Sequence, residues 1–308
     1  MAKYLIFVDT NILLDFYRVR HESGLTLLKR LDDIHDRLIT SYQVEMEFKR
    51  NRQAVIVEFL RNLKKLEKVQ HAAFLAETKA ADMLNRGIGG TNKRIDTLKG
   101  RLKKVLAKPT GYDPVYKVVQ RLFTDDTPLN LTRKKKVRGL VKRRAFRRFI
   151  LGYPPRKAAD TSMGDALNWE WIIEVARETG SHVAIVSRDA DYGVELEQQP
   201  HINDWLVQEF RDRVSRRRQC LLFNRLAPAF KLAKVAVTPE AEKEEKEDLA
   251  RTRESARDYW QTLAYKMLRA YPKLSSPPSF TADEASRILL EKIRTLTGEP
   301  SKEPESEV

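Results

Sequence analysis

The chain has 308 residues, of which 42% are hydrophobic and 33% charged, with a formal net charge of +15 and a pI of about 9.8. That length holds one large domain or two small ones, and the basic balance fits a polyanionic partner. A lone cysteine, Cys220, excludes an internal disulfide framework and a cysteine-based zinc site, and no apolar window approaches the roughly 18 residues of a membrane span. The first apolar stretch is short and broken by Asp9 and Asn11, unlike a signal peptide, so a reducing cytoplasm is the expected compartment.

Tyr4-Leu5-Ile6-Phe7-Val8 is a short continuous apolar run, the pattern of a strand buried on both faces. Asp9-Thr10-Asn11 ends it, and Ile12, Leu13, Leu14, Phe16 and Tyr17 suit a helix. A second helix is expected from Ser23 to Leu31, and a second short strand from Leu38 to Thr40. Helical spacing resumes at Val44 and brings Glu47 to the sheet side. From about Gln53 to Leu106 strand signals are lacking. Leu60, Leu63, Leu66 and Val69 recur at threes, and Ile95, Leu98, Leu102 and Val105 repeat the pattern beyond Gly87-Ile88-Gly89-Gly90. This predicts a helical hairpin interrupted at those glycines, with basic outer faces. A looser stretch with Pro109, Gly111, Pro114 and Pro128 follows.

Ala166 to Ala176 reads as a strong helix with Trp169, Ile172, Ile173 and Ala176 on one stripe, ended by Gly180. Val183 to Val186 is another buried strand. The rhythm predicts an α/β fold, a three-layer α/β/α sandwich with a central parallel sheet. Beyond Pro200 the chain reads as helical, closing with an amphipathic helix from Ala282 to Leu296. The expected organisation is a catalytic core of 1–50 and 149–200, a basic helical insertion of 51–148, a helical region of 201–298 and a disordered tail of 299–308.

Four carboxylates stand at the ends of apolar runs: Asp9, Glu47, Asp165 in Gly164-Asp165-Ala166-Leu167, and Asp189 in Ser187-Arg188-Asp189-Ala190-Asp191. Two of them follow expected parallel strands, where open α/β sheets bind ligands. Converging carboxylates raise one another's pKa unless a cation sits among them, and Mg²⁺ or Mn²⁺ prefers such oxygen ligands. Each also has a plainer reading. Asp9 and Asp189 suit turns, Asp165 suits an N-cap, and Glu45 competes with Glu47 two residues away on a different helix face. Asp160 and Asp191 are further candidate ligands. The five histidines show no metal-ligand spacing, and Trp169 and Trp171 read as packing residues.

Phe-Val-Asp-Thr-Asn, the Glu47-Phe48 pair, Gly-Asp-Ala-Leu opening a helix and Val-Ser-Arg-Asp-Ala-Asp-Tyr after a strand together resemble the PIN nuclease domain. Gly152 to Pro155 ahead of Gly164 to Trp169 resembles its bacterial PIN-like branch. The resemblance covers residues 1–50 and 149–195. It implies hydrolysis of nucleic acid, most often RNA, with Asp9, Glu47, Asp165 and Asp189 binding one or two Mg²⁺ or Mn²⁺ ions, Thr10 and Asn11 orienting Asp9, and Ser187 bonding substrate phosphate. Endonucleolytic cleavage by an activated water, leaving 5′-phosphate and 3′-hydroxyl ends, is the expected chemistry. A DNA or flap nuclease and a silent nucleic-acid-binding scaffold are the rivals. A haloacid-dehalogenase-like phosphatase is disfavoured, because Asn11 stands where a second Asp would act as general acid. The family's contexts include toxins, phage-defence effectors and RNA-processing factors.

Charge is concentrated: residues 49–157 hold 30 Lys and Arg against 8 Asp and Glu, so the remainder is net −7. The densest run is Arg133, Lys134, Lys135, Lys136, Arg138, Lys142, Arg143, Arg144, Arg147 and Arg148. These positions are expected to contact phosphate backbone, although the run also fits a nuclear localisation signal or a solvated face. Few aromatics interleave with it, which favours a structured RNA read by shape over a single-strand stacking platform. Pairing with a second copy or with a regulatory protein is left open.

Overall fold

A computed structural model describes residues 3–19, 22–68, 72–75, 78–155, 162–252 and 254. Asp160, the expected helix from Ala282 to Leu296 and the tail lie outside the described residues. Met1–Leu249 forms one compact unit, and the chain from Ala250 onward belongs to a second.

In chain order, strand β1 (Tyr4–Val8) leads into α1 (Thr10–Asp15) and α2 (Gly24–Asp33), and β2 (Leu38–Ser41) into α3 (Tyr42–Asn62). Then come α4 (Lys79–Ala107), α5 (Pro109–Tyr112), α6 (Pro114–Thr124), β3 (Asn130–Leu131), α7 (Arg138–Ile150) and α8 (Gly164–Thr179). β4 (His182–Val186), a hairpin of β5 (Gly193–Leu196) and β6 (Gln199–Ile202), α9 (Asp204–Arg213), β7 (Cys220–Phe223) and α10 (Leu226–Leu232) follow.

The central sheet has five strands in the order β3-β2-β1-β4-β7, all parallel. Leu5, Ile6, Phe7 and Val8 are all buried although successive side chains point to opposite faces, so both faces of β1 are covered. The layers are those of a PIN-like α/β/α sandwich. α8 is buried nearly all round, from Ala166 to Ala176 without interruption. It ends at Gly180 in the left-handed conformation (φ +61°), the backbone that a glycine C-cap supplies without steric cost.

Three sequence expectations are corrected. The glycines do not break the hairpin: α4 runs through Gly87, Gly89 and Gly90 for 29 residues. Glycine in a helix interior costs about 1 kcal/mol relative to alanine but does not forbid the helix. The reversal lies after α3, where Asn92 accepts from the Leu66 N–H and donates to its carbonyl, both at 2.9 Å. Second, the stretch 51–148 is not wholly an insertion. It supplies the edge strand β3, and Val119, Leu122, Phe123, Val141 and Ala145 of α6 and α7 belong to the core. Third, the region after Pro200 is not purely helical, because β6 and β7 lie in it. Strands of four residues show no periodicity that separates them from short helical segments.

Candidate active site

β1 and β4 are paired from Tyr4↔His182 to Val8↔Val186, so the residues that follow them emerge side by side. The strand order reverses here, since β2 and β3 lie on one side of β1 and β4 and β7 on the other. Such a switch point opens a crevice at the carboxyl ends of the strands. The backbone stays paired past the strands: Asp9 N–H donates to Val186 C=O at 3.0 Å and Ser187 N–H to Phe223 C=O at 2.9 Å.

Asp9 is the N-cap of α1 and only 3% exposed. Its Oδ1 accepts from Thr10 N–H at 2.6 Å, and its Oδ2 accepts from Asn11 Nδ2 at 2.9 Å and from the Ser187 hydroxyl. Ser187 Oγ also accepts from Asp189 N–H at 3.0 Å. Three neighbours thus fix the carboxylate from both strand ends.

Glu47 comes from the second turn of α3, whose start is capped by Ser41 Oγ accepting from Val44 N–H at 3.2 Å. Its Oε2 accepts from Thr10 Oγ1 at 3.2 Å and its Oε1 from Gln43 Nε2 at 2.6 Å. Glu45 points elsewhere and pairs with Lys49 at 2.6 Å. A Cβ at Gly164 would stand 2.6 Å from Glu47 Oε1 and 2.8 Å from Gln43 Nε2. Gly164→Ala is therefore expected to displace the flexible Glu47 tip and lower turnover about tenfold, while the denaturation midpoint moves little. Parallel activity and unfolding measurements check this; a large stability loss with full activity per folded molecule would contradict it.

Asp165 lies in the first turn of α8, and the N-cap is Met163, with no side-chain capping bond. The plainer reading of Asp165 as the N-cap of this helix therefore does not hold. Burial, then the charges of Asp9, Asp189, Glu47 and Asp191, push its pKa up to about 8. Asp9 is pushed up to about 7, chiefly by burial, with the Ser187 hydrogen bond opposing and the charges of Asp189 and Glu47 adding. Asp9, Glu47, Asp165, Asp189 and Asp191 thus share one electrostatic field. Tyr192, fully buried beside Phe7 with ring centroids 6.3 Å apart, lies in the same field, and its hydroxyl finds no hydrogen-bond partner among the described residues.

Among the described residues no three His, Cys, Asp or Glu side chains are grouped closely enough to hold a metal ion as they stand. The donor chemistry nevertheless suits a hard divalent cation, because buried and half-buried carboxylates that repel one another are the set such an ion neutralises.

The family profile for the PIN domain matches residues 6–192, more than half of the chain. This chain belongs to the PIN domain family. Neither the search of curated proteins nor that of solved structures found a match. PIN domains are typically nucleases, so the activity associated with this fold is hydrolysis of nucleic acid.

In this PIN domain the basic run divides. Arg133, Lys134, Lys136, Lys142, Arg143 and Arg147 are exposed. Lys135 turns inward: its Nζ donates to the carbonyls of Thr127, Pro128 and Asn130 at 2.6–2.9 Å and stands 5.1 Å over the Trp171 ring. Arg138 stacks 5.8 Å over Tyr42, and Arg144 pairs with Glu174 at 2.7 Å. Arg148 is 4% exposed and bridges Glu170 and Glu209. These four carry packing roles that their place in a charge run concealed. Gln43 went unnoticed in the sequence, although its position four residues before Glu47 puts it on the same helix face. The Arg188–Asp15 ion pair, which joins the loop after β4 to α1, left no signal in sequence spacing.

Proposed function

We propose that this PIN domain is an endoribonuclease that uses Mg²⁺ or Mn²⁺, with Asp9, Glu47, Asp165 and Asp189 as ligands and Asp191 and Asp160 as additional ones. The observation that carries the reading is the environment of Asp9, a buried carboxylate at the switch point, tethered by three donors and surrounded by carboxylates. A fold tolerates such a cluster when a cation compensates it. A bound ion would lower the pKa of a water and offset charge on the phosphate.

The chain's own residues do the placing. Thr10 and Asn11 hold Asp9, Gln43 and Thr10 hold Glu47, and Ser187 ties Asp9 to the loop that carries Asp189. In the reaction the water oxygen bonds to phosphorus, the P–O3′ bond breaks, and a proton goes to the leaving 3′-oxygen. The six exposed cations of the basic run supply contact to phosphates without sequence preference. RNA is favoured over DNA on the family resemblance, and a toxin or defence role belongs to the same proposal.

Labelled RNA and DNA incubated with Mn²⁺, with EDTA and with the Asp9→Asn variant test it. RNA cutting that EDTA and the variant both abolish is expected. Equal cutting of DNA, or RNA cutting that survives EDTA, refutes the specific reading. Replacing Lys134, Lys136 and Lys142 by alanine is expected to weaken binding uniformly across sequences. The slope of log K against log salt should become shallower by about 0.7–0.9 for each phosphate that the protein no longer neutralises. An unchanged slope removes these residues from the interface.

A further inference from the structure

Away from the Asp9 cluster, α7, α8 and α9, with Leu151 and Tyr153 just after α7, line an open cleft of about 540 Å³. That volume falls in the range of small-molecule sites. Its wall carries five arginines against Glu170 and Glu209, and Glu174 pairs with two of those arginines from behind, which leaves a net charge of +2.

Most of that charge is built in. Glu170 receives Arg148 at 3.0 Å and Arg213 at 2.6 Å, and Glu209 receives both of those arginines and the Trp169 indole N–H at 3.0 Å. Burial acts to raise the Glu170 carboxyl, but the hydrogen bonds and charges of Arg213 and Arg148 outweigh it and hold it below the usual range. The glutamates are therefore saturated with donors, and the surplus positive charge is left over at the mouth. Arg147 is exposed and forms no ion pair among the described residues. Arg177 is 47% exposed and reaches Glu174, which Arg144 also engages.

Beside these guanidiniums stands an aromatic pair. The rings of Tyr153, which lines the cleft, and Trp205 lie 5.5 Å apart, with the two residues 43% and 46% exposed. Neither aromatic lies within the basic run; folding brings Tyr153 into the same cleft as Arg147.

We infer that this cleft binds a nucleotide, its phosphate on Arg147 and Arg177 and its base against Tyr153. Guanidinium groups bind phosphate with paired, charge-assisted hydrogen bonds, and an aromatic face accepts any base. The nucleotide comes either from a nucleic-acid strand or from the free pool; the first source rests on the nuclease reading, the second does not.

Binding is measured by calorimetry on full-length Asp9→Asn protein in EDTA, so loss of catalysis has no bearing on the result. The probes are uridine 5′-monophosphate, a short single-stranded RNA and inorganic phosphate. Binding of either nucleotide probe, weakened about tenfold by Arg147→Ala and about tenfold by Tyr153→Ala, is the expected result. Phosphate should respond to Arg147→Ala alone. If only the oligonucleotide binds in this way, the strand is the source; if only the monophosphate does, the free nucleotide is. Because Arg147 is exposed and holds no ion pair among the described residues, its variant should fold, and its denaturation curve verifies that. Failure of both nucleotide probes to bind, or binding indifferent to both substitutions, overturns the assignment.

Discussion

Asp9→Asn is expected to lower cleavage by about a thousandfold while raising the melting temperature of the metal-free protein. Activity falls because the amide removes the charge around which the site is built; its single oxygen can still accept from Thr10 N–H, while its NH₂ replaces the oxygen that accepts from Asn11 and Ser187. Stability rises because that charge is a burden on the metal-free fold. The ordinary value for this carboxyl is 3.8, and in the folded chain burial lifts it to about 7. Between those values the folded state holds the proton that the unfolded chain has released. Stability of the metal-free protein therefore falls as pH rises from about 4 to about 7, and Asp165 extends the decline to about 8. Asp9's share is of the order of a few kcal/mol and should vanish in the Asn variant. Thermal unfolding in EDTA across that pH range, for both proteins, provides the check. A variant less stable than the parent at pH 8 would show that the carboxylate stabilises the fold and would undercut the case for a compensating ion.

Arg52→Ala should destabilise the domain by about 3–5 kcal/mol, a large part of the 5–15 kcal/mol typical of native domains. Arg52 and Asp113 are 3% and 1% exposed and meet at 2.6 Å. Arg52 also donates to Tyr17 Oη at 3.0 Å and to the Val105 carbonyl at 2.7 Å, and stands 5.2 Å over the Tyr116 ring. One side chain thus joins the end of α1, α3, the last turn of α4 and the start of α6. Its removal leaves the Asp113 charge buried without compensation. Arg52→Met combined with Asp113→Asn should recover most of the loss, since no charge remains and Asn still caps α6, where Asp113 Oδ1 accepts from Tyr116 N–H at 2.9 Å. Chemical denaturation of the two variants decides it. Equal loss in both would assign the cost to packing around the guanidinium and not to the orphaned charge.

The physics of burial explains which parts of this molecule could be read from residue order. β1 was recognisable over its full length because a strand covered on both faces must be apolar at every position. α8 was recognisable because a buried helix repeats apolar residues over many turns. β3, with two residues, leaves no period, and both β3 and β7 lie at the sheet's edges, where pairing with the neighbouring strand decides their place. The hairpin turn was misplaced for a related reason: glycine propensity is weak beside the two hydrogen bonds that Asn92 makes to Leu66.

Residue order was enough to place Asp9 and Asp189 at the ends of buried strands, because a carboxylate that ends a continuous apolar run has a local signature. It was also enough to locate the concentration of positive charge. Folding in three dimensions was needed to show which carboxylates share one field, that Glu47 and not Glu45 faces Thr10, and that Arg148, Arg144, Arg138 and Lys135 are engaged internally. Those outcomes depend on distances between residues far apart in the chain. Spacing along a helix reveals the face a side chain occupies, while the partner on that face is set by packing.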